Sequence, residues 1–242
     1  MISPKITFKM FPLLDRNLPH VEEKILSYLE PKDLAAAMVV SKQWYQRAKP
    51  FLCEWYAYIQ RKNGEVPLLT AVADGYDHLV AFFLRKKQTD VNEISKKTGR
   101  NALMEAARDG KDQIAKMLLE REDIDVNLYY NKFRTALRYT ALHFAAYNGH
   151  SGVVKLLVER TDTDVNVRGG FFGRTALIFA VKYGQVGAME ELLKHPKIDV
   201  NYKKDNCGFT ALSRANLMLA KGTQYDDKLQ KIIGILEKRN AK

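Results

Sequence analysis

The sequence predicts an all-α chain: an N-terminal three-helix segment, then an α-solenoid of stacked helix pairs joined by β-hairpin fingers. Two observations predict the solenoid. The tripeptide Asp-Val-Asn stands at 90–92, 125–127, 164–166 and 199–201, so its Asn positions are 35, 39 and 35 residues apart. A glycine marker ahead of each helix start, at Gly64, Gly99, Gly173 and Gly208, keeps the same 35-residue period and the same four-residue interruption. A fixed period of this size marks a repeat array, in which each unit buries its apolar face against the next. The third observation is a run of short apolar patterns broken by proline over residues 18–55, which predicts the small helical segment.

Each repeating unit has one internal plan. VPLLTAVADG (66–75), NALMEAARDG (101–110), TALHFAAYNG (140–149) and TALIFAVKYG (175–184) align without gaps. Leu at the third place and Ala at the sixth share a helix face. The small Ala lets a neighbouring helix come close, and Gly at the tenth place can adopt the left-handed conformation that ends a helix. A second apolar pattern at helical spacing follows: Ile114, Met117 and Leu118, then Val153, Val154, Leu156 and Leu157, then Met189, Leu192 and Leu193. Each unit is therefore a helix, a tight turn, a second helix, an extended Asp-Val-Asn stretch and a hairpin. The last unit, 210–239, lacks glycine at the tenth place, and its second helix, with Ile232, Ile233, Ile235 and Leu236, is displaced. That irregularity suits a terminal cap, whose outer face meets water.

Ahead of the array, Leu18-Pro19 precedes a helix with apolar Val21, Ile25, Leu26 and Leu29. Pro31 stops it, Asp33 caps a second helix carrying Leu34, Met38 and Val39, and Ser41 opens a third with Trp44. Three short helices in about forty residues bury little surface alone, which predicts a partner.

The repeating units resemble the ankyrin repeat; TALHFAAYNGHSGVVKLLVERTDTDVN (140–166) follows its consensus throughout. The departures are Thr-Ala or Asn-Ala where the family has Thr-Pro, with Pro67 alone retained, and an extra polar residue in place of the Gly before Asp-Val-Asn. The N-terminal segment resembles the F-box, whose pattern is met at Leu18, Pro19, Ile25, Leu26, Leu29, Pro31, Asp33, Leu34, Val40, Ser41 and Trp44. The expected organisation is a flexible tail over 1–15, an F-box over 16–60, and ankyrin units over 61–97, 98–132, 133–171, 172–206 and a cap, 207–242. The resemblance implies binding to a Skp-family adaptor, and through it to a cullin–RING ubiquitin ligase, by way of Leu18, Pro19, Ile25, Leu26, Leu29, Pro31, Leu34, Val40 and Trp44. It also implies no chemistry in the ankyrin part, whose function lies in what it binds. The rival reading makes 1–60 a helical cap on the array, with Phe51, Trp55 and Tyr58 leading into repeat one, and the protein a plain ankyrin scaffold or inhibitory binding protein.

Charge and composition narrow the partners. The net charge is +11, of which +2 belongs to residues 1–60 and +9 to the rest, so the array favours an acidic or phosphorylated protein. Nucleic acid ranks behind it, because the basic residues lie on separate loops and no nucleic-acid module is recognisable. No apolar run approaches the ~20 residues of a membrane span, and the N-terminus has no signal-peptide core. The expected location is the cytosol or nucleus, or a host's cytosol if the chain is a secreted effector. Cys53 and Cys207 form no zinc or disulfide pattern, the five histidines form no ligand set, and no cofactor or active site is expected. His143 stands where the ankyrin family uses histidine for hydrogen bonding between repeats.

The hairpin fingers ISKKTGR (94–100), LYYNKFRTALRY (128–139), VRGGFFGR (167–174) and YKKDNCGF (202–209) are basic and aromatic at the same place in successive units. Arg with exposed aromatics is the composition of a binding hot spot. The candidate substrate-binding residues are Lys96, Lys97, Tyr129, Tyr130, Lys132, Phe133, Arg134, Arg138, Phe171, Phe172 and Arg174 on the fingers, with Phe144, Tyr147, Phe179 and Tyr183 on the adjoining first helices. One finger is longer: Thr140 lies 13 residues after Asn127 where its siblings use 9, and Thr-Ala-Leu occurs at both 135–137 and 140–142. Thr140 is the copy in phase with Asn101 and Thr175, so it opens the helix. The earlier copy is either an inert insertion or part of the element that selects the partner.

Overall fold

The computed structural model describes residues 57, 60, 61, 64–130, 138–202, 208–222 and 226–240. The chain divides into two compact units, 1–67 and 68–242. The tail, the three-helix segment and every adaptor-binding candidate lie outside the described residues.

The described array is helical except for one short strand pair. Its elements are α1 (Pro67–Asp74), α2 (Asp77–Arg85), α3 (Ala102–Asp109), α4 (Asp112–Leu119), β1 (Tyr129–Tyr130), β2 (Tyr139–Thr140), α5 (Ala141–Asn148), α6 (Ser151–Val158), α7 (Ala176–Lys182), α8 (Val186–Lys194), α9 (Ala211–Ala220) and α10 (Asp226–Asn240). First helices pack on first helices, α3 on α5, α5 on α7 and α7 on α9, while α2, α4, α6 and α8 form the second layer.

Each first helix starts where the repeat phase puts it. The Asn101 side chain accepts from the Met104 N–H at 2.9 Å, the Thr175 hydroxyl from Ile178, and the Thr210 hydroxyl from Ser213 at 3.1 Å. Thr140 caps α5 and pairs with Tyr129 across the β1–β2 hairpin, so the second Thr-Ala-Leu does open the helix. The Leu column (Leu68, Leu103, Leu142, Leu177) is buried, and Ala71, Ala106, Ala145, Ala180 and Ala215 are wholly inaccessible. Those methyls are what adjacent first helices close upon.

The turns after α3, α5 and α7 are tied to the preceding unit. Gly149 takes a left-handed φ of 80°, and the Gln185 side chain of the next unit fills the space a Cβ would need. The residue after the glycine reaches back to the carbonyls ending the previous first helix. Lys111 Nζ donates to Val72 and Ala73 at 2.7 and 2.6 Å, and the His150 ring meets the Arg108 carbonyl at 2.9 Å.

A second set of ties runs through Asp-Val-Asn. The aspartate accepts from the backbone N–H of its own asparagine, 2.9 Å for Asp125–Asn127, which folds the turn. The valines Val91, Val126 and Val165 are buried. The asparagine then holds the turn of the following unit. Two arginines add a third set. Arg121 grips Asp123 with two nitrogens and donates to the Leu84 carbonyl at 2.7 Å, and Arg160 repeats this with Asp162 and the Leu119 carbonyl at 2.8 Å. A guanidinium at the C-terminal end of a helix complements its exposed carbonyls.

The last unit departs from the plan of the others. Its first helix runs ten residues to Ala220, and a glycine with left-handed φ, Gly222, follows at the later position. Leu229, Ile232 and Leu236 of α10 are buried on one face, with Ile233 and Ile235 half-buried and Lys228, Lys231 and Lys238 exposed on the other.

Candidate functional site

The fingers and first-helix faces of units three to five build one aromatic and basic surface. Tyr139, at the end of the long finger, is its hub. Its ring centroid lies 5.7 Å from Phe179, 5.8 Å from Phe144 and 6.0 Å from His143. Tyr147 and Tyr183 continue the cluster with centroids 4.3 Å apart, and Phe179 stacks parallel to Tyr183 at 6.4 Å. Burial raises the Tyr139 phenol's pKa, and Tyr183 beside it raises that of Tyr147.

His143 anchors this cluster from inside. Its Nδ1 accepts from the Thr140 backbone N–H at 3.2 Å, so Nε2 carries the proton and donates to the Arg174 carbonyl of the next finger at 3.1 Å. Complete burial pushes its pKa down to about 4, which keeps the ring neutral. This is the hydrogen bond between repeats that the resemblance implied.

The finger at 167–174 is a tight hairpin. Gly169 and Arg174 exchange backbone hydrogen bonds at 2.8 Å each, and the Gly173 N–H donates to the Gly170 carbonyl at 3.0 Å. Gly170 sits at φ 73°, and the Tyr139 phenol occupies the place of its missing Cβ. Tyr139, ending the long finger, therefore interlocks with the finger at 167–174. The consequence is at the tip: Phe171 is 77 % exposed and meets Phe172 edge-on at 5.4 Å. An exposed phenylalanine on a held finger is an informative departure from burial.

The candidate residues separate into three groups. Tyr129, Tyr147, Phe171 and Phe172 are exposed, as are Lys96, Lys97 and Arg138, while Phe144 and Tyr183 are half-buried. Arg138, where sibling fingers carry glycine, lies over the Tyr129 ring at 5.2 Å. Phe179 and Arg174 differ from the expectation of open contacts, being 4 % and 7 % exposed. Phe179 is covered by Tyr139, Tyr147 and Tyr183, and the Arg174 guanidinium lies 4.4 Å over Phe172, so both shape the surface and offer it little area. Tyr130 lies in β1, and Lys132, Phe133 and Arg134 lie outside the described residues.

The sequence reading missed two cations. Lys182, in the last turn of α7, is half-buried, donates to the Tyr183 hydroxyl at 3.2 Å and sits 4.9 Å over that ring. Burial lowers its pKa, and Arg174 and Arg214 lower it further. Arg214, from α9, lies 4.3 Å over Phe209. The missed signal was the column of eighth-place residues, Ala73, Arg108, Tyr147 and Lys182, which faces the same way as the aromatics. Among the described residues no group of His, Cys, Asp and Glu could hold a metal ion. Exposed aromatic rings beside basic side chains are groups suited to binding a partner.

Comparison with known proteins agrees with this architecture. A family model described as ankyrin repeats, in three copies, matches residues 36–130, 68–169 and 142–221. A model of the F-box domain matches residues 17–52. Among solved structures, the crystal structure of EF0377, an ankyrin repeat protein, superposes with a TM-score of 0.60 at 26 % identity, covering 72 % of this chain and 81 % of that one. No curated protein matches the chain.

Proposed function

The chain belongs to the ankyrin-repeat family and carries an F-box ahead of its repeats, and from this premise we propose that it is the substrate-recognition subunit of a Skp–cullin–F-box ubiquitin ligase. The observation that carries this is the F-box match at 17–52 in the same chain as a binding array. F-box and ankyrin domains are binding modules, and the protein performs no chemistry in this reading. The F-box docks on a Skp-family adaptor through Leu18, Pro19, Ile25, Leu26, Leu29, Pro31, Leu34, Val40 and Trp44, and the array holds a target protein. Catalysis comes from the high effective concentration of target near the ubiquitin-loaded enzyme. The place of action is the cytosol or nucleus, where such ligases work.

Co-expression with a Skp-family adaptor tests this. Intact protein should co-purify with the adaptor as a stoichiometric complex, and Leu18→Ala with Pro19→Ala should abolish it while thermal unfolding of the array is unchanged. Absence of a complex, or no effect of the double substitution, rejects ligase recruitment in favour of an ankyrin-repeat scaffold or inhibitory binding protein.

A further inference from the structure

The eighth place of each first helix shares a face with the fifth, and in units two to four it carries Arg108, Tyr147 and Lys182. These residues form a row across α3, α5 and α7, since α3 packs on α5 and α5 on α7. The following unit holds the backbone of the first two in the same way. The His150 ring meets the Arg108 carbonyl at 2.9 Å, and the Gln185 amide donates to the Tyr147 carbonyl at 3.3 Å.

The Arg108 guanidinium is half-buried and fixed by two carboxylates. Its Nε donates to Asp109 at 2.7 Å, and its Nη2 reaches Asp109 at 3.2 Å and Glu105 at 2.8 Å. Those carboxylates balance its charge, so a further anion gains little there. Its Nη1 meets no acceptor among the described residues, which leaves a held N–H donor suited to a neutral carbonyl. At the other end of the row, Lys182 Nζ donates to the Tyr183 hydroxyl at 3.2 Å and lies 4.9 Å over that ring. Between them, Tyr147 is 43 % exposed and meets Tyr183 with ring centroids 4.3 Å apart and planes 54° apart. The ammonium over Tyr183 repels a cationic guest from this pair of rings.

Both cations can only donate. An ordinary extended strand laid across them brings N–H groups that they cannot accept, and unpaired N–H groups weaken binding. Proline brings a carbonyl and no N–H, and its ring offers apolar area to the tyrosines. The spacing agrees. A polyproline II segment turns once in roughly three residues at about 3.1 Å each, so its face repeats every ~9 Å. Packed helix axes stand about 8–10 Å apart, so one turn of the segment spans one unit of the array. Grooves lined by aromatic rings are a recurring receptor for such preformed segments. The net charge of the array bears on how the target approaches, while this row reads its neutral main chain.

We propose that the row Arg108, Tyr147 and Lys182, with Tyr183, binds a proline-rich segment of the target protein in the polyproline II conformation. Prolines pack on Tyr147 and Tyr183, and main-chain carbonyls accept from Arg108 Nη1 and Lys182 Nζ. This rests on the reading of the array as the target-binding part, and it places recognition in units two to four.

The test uses the full-length protein and a displayed library of random twelve-residue peptides. Selected peptides should share prolines three residues apart. A synthetic peptide of the selected sequence should lose at least roughly tenfold in affinity when its prolines become alanine, and a similar factor against Tyr147→Ala, as for an aromatic anchor. Tyr147→Phe, which keeps the ring, should lose less. Arg108→Lys keeps a cation beside Glu105 and Asp109 but lacks Nη1, and Lys182→Glu turns a donor into an acceptor; each should weaken binding roughly threefold to tenfold, as for one hydrogen bond. Raising salt from about 0.05 to about 0.5 M should change affinity less than about threefold, because no ion pair forms with the peptide. Urea midpoints are measured for every variant, and Lys182→Glu, whose side chain reaches solvent, keeps the test decisive if Tyr147→Ala loses stability. Selection without proline spacing, including a failure to select any peptide, overturns the proposal. So does selection of acidic peptides whose affinity falls steeply with salt, or binding by Lys182→Glu equal to the parent. Adaptor binding measured on the same preparations separates the two readings: its loss rejects ligase recruitment, and its persistence with a failed peptide result rejects the proline-rich site alone.

Discussion

Asn127 and Asp164 lock two successive units together. The Asp164 backbone N–H donates to the Asn127 amide oxygen at 2.8 Å, while the Asn127 amide donates to the Asp162 carbonyl at 2.7 Å. Asn92 does the same to Asp125 and Asp123, and Asn166 to Asp199 and Lys197. One side chain thus satisfies a donor and an acceptor of the next turn, which explains why the tripeptide ends in Asn.

Asn127→Ala removes both bonds at once. It should lower stability by about 1–3 kcal/mol, the net worth of two partly exposed hydrogen bonds. Asn127→Asp should be no better, because it keeps an acceptor but loses the donor to Asp162. Urea unfolding of both variants checks this, and a shift indistinguishable from that of an exposed control such as Lys155→Ala would contradict the clamp.

Gly149 makes a second prediction that separates two effects. Gly149→Ala must hold a side chain at φ 80° and displace Gln185, whereas Gly222→Ala at φ 62° meets nothing within 4 Å. The second change should cost about 1–2 kcal/mol, the left-handed penalty alone. The first should cost more, with the excess reduced in the double variant that also carries Gln185→Ala. Thermal melts of the three variants read it out, and equal losses for both glycines would show that Gln185 does not matter.

His143 sets a pH dependence. Its folded-state pKa of about 4 lies below the ordinary 6.5, so between these values the unfolded chain binds the proton more readily. Its contribution is complete above about pH 6.5 and is lost progressively as pH falls toward 4, to a total of roughly 3 kcal/mol. Urea midpoints at pH 7.5, 6 and 5 should fall more steeply for the parent than for His143→Gln. Parallel slopes would mean that the imidazole is not held neutral by burial.

Much of this was legible in the sequence because a repeat states its rules several times. The phase of Thr140, the Leu and Ala columns and the closing glycines follow from period and helix geometry. The roles of Asp-Val-Asn were not legible, since the pattern gives a spacing without saying which atoms meet across units. Arg121 and Arg160 stand 39 residues apart, each two before an aspartate, and that spacing was the available signal for the arginine staples. Phe179 was expected to face a partner because helix phase fixes direction, yet Tyr139, Tyr147 and Tyr183 cover it, and Arg174, expected there from its place on a finger, lies over Phe172 of the same finger. Coverage by another repeat depends on how hairpins interlock, which here turns on Tyr139 meeting Gly170. Lys182 was overlooked for the converse reason: a lone lysine reads as solvated until its contact with the Tyr183 ring and hydroxyl is known.

The last unit gives a final prediction, about where the array opens first. Leu229, Ile232 and Leu236 are essentially inaccessible and lie on one face of α10, which packs on α9 and α8. Leu236→Ala should cost about 2–5 kcal/mol, as for other buried leucines. Lys231→Ala, on the exposed face, should change stability by less than about 0.5 kcal/mol. In a quasi-one-dimensional stack the loss should be local, because each unit contacts only its neighbours. Hydrogen exchange on Leu236→Ala should therefore show protection lost over α9 and α10 and retained over α3 to α6. Uniform loss across all units would mean that the last unit and the central repeats unfold as one body.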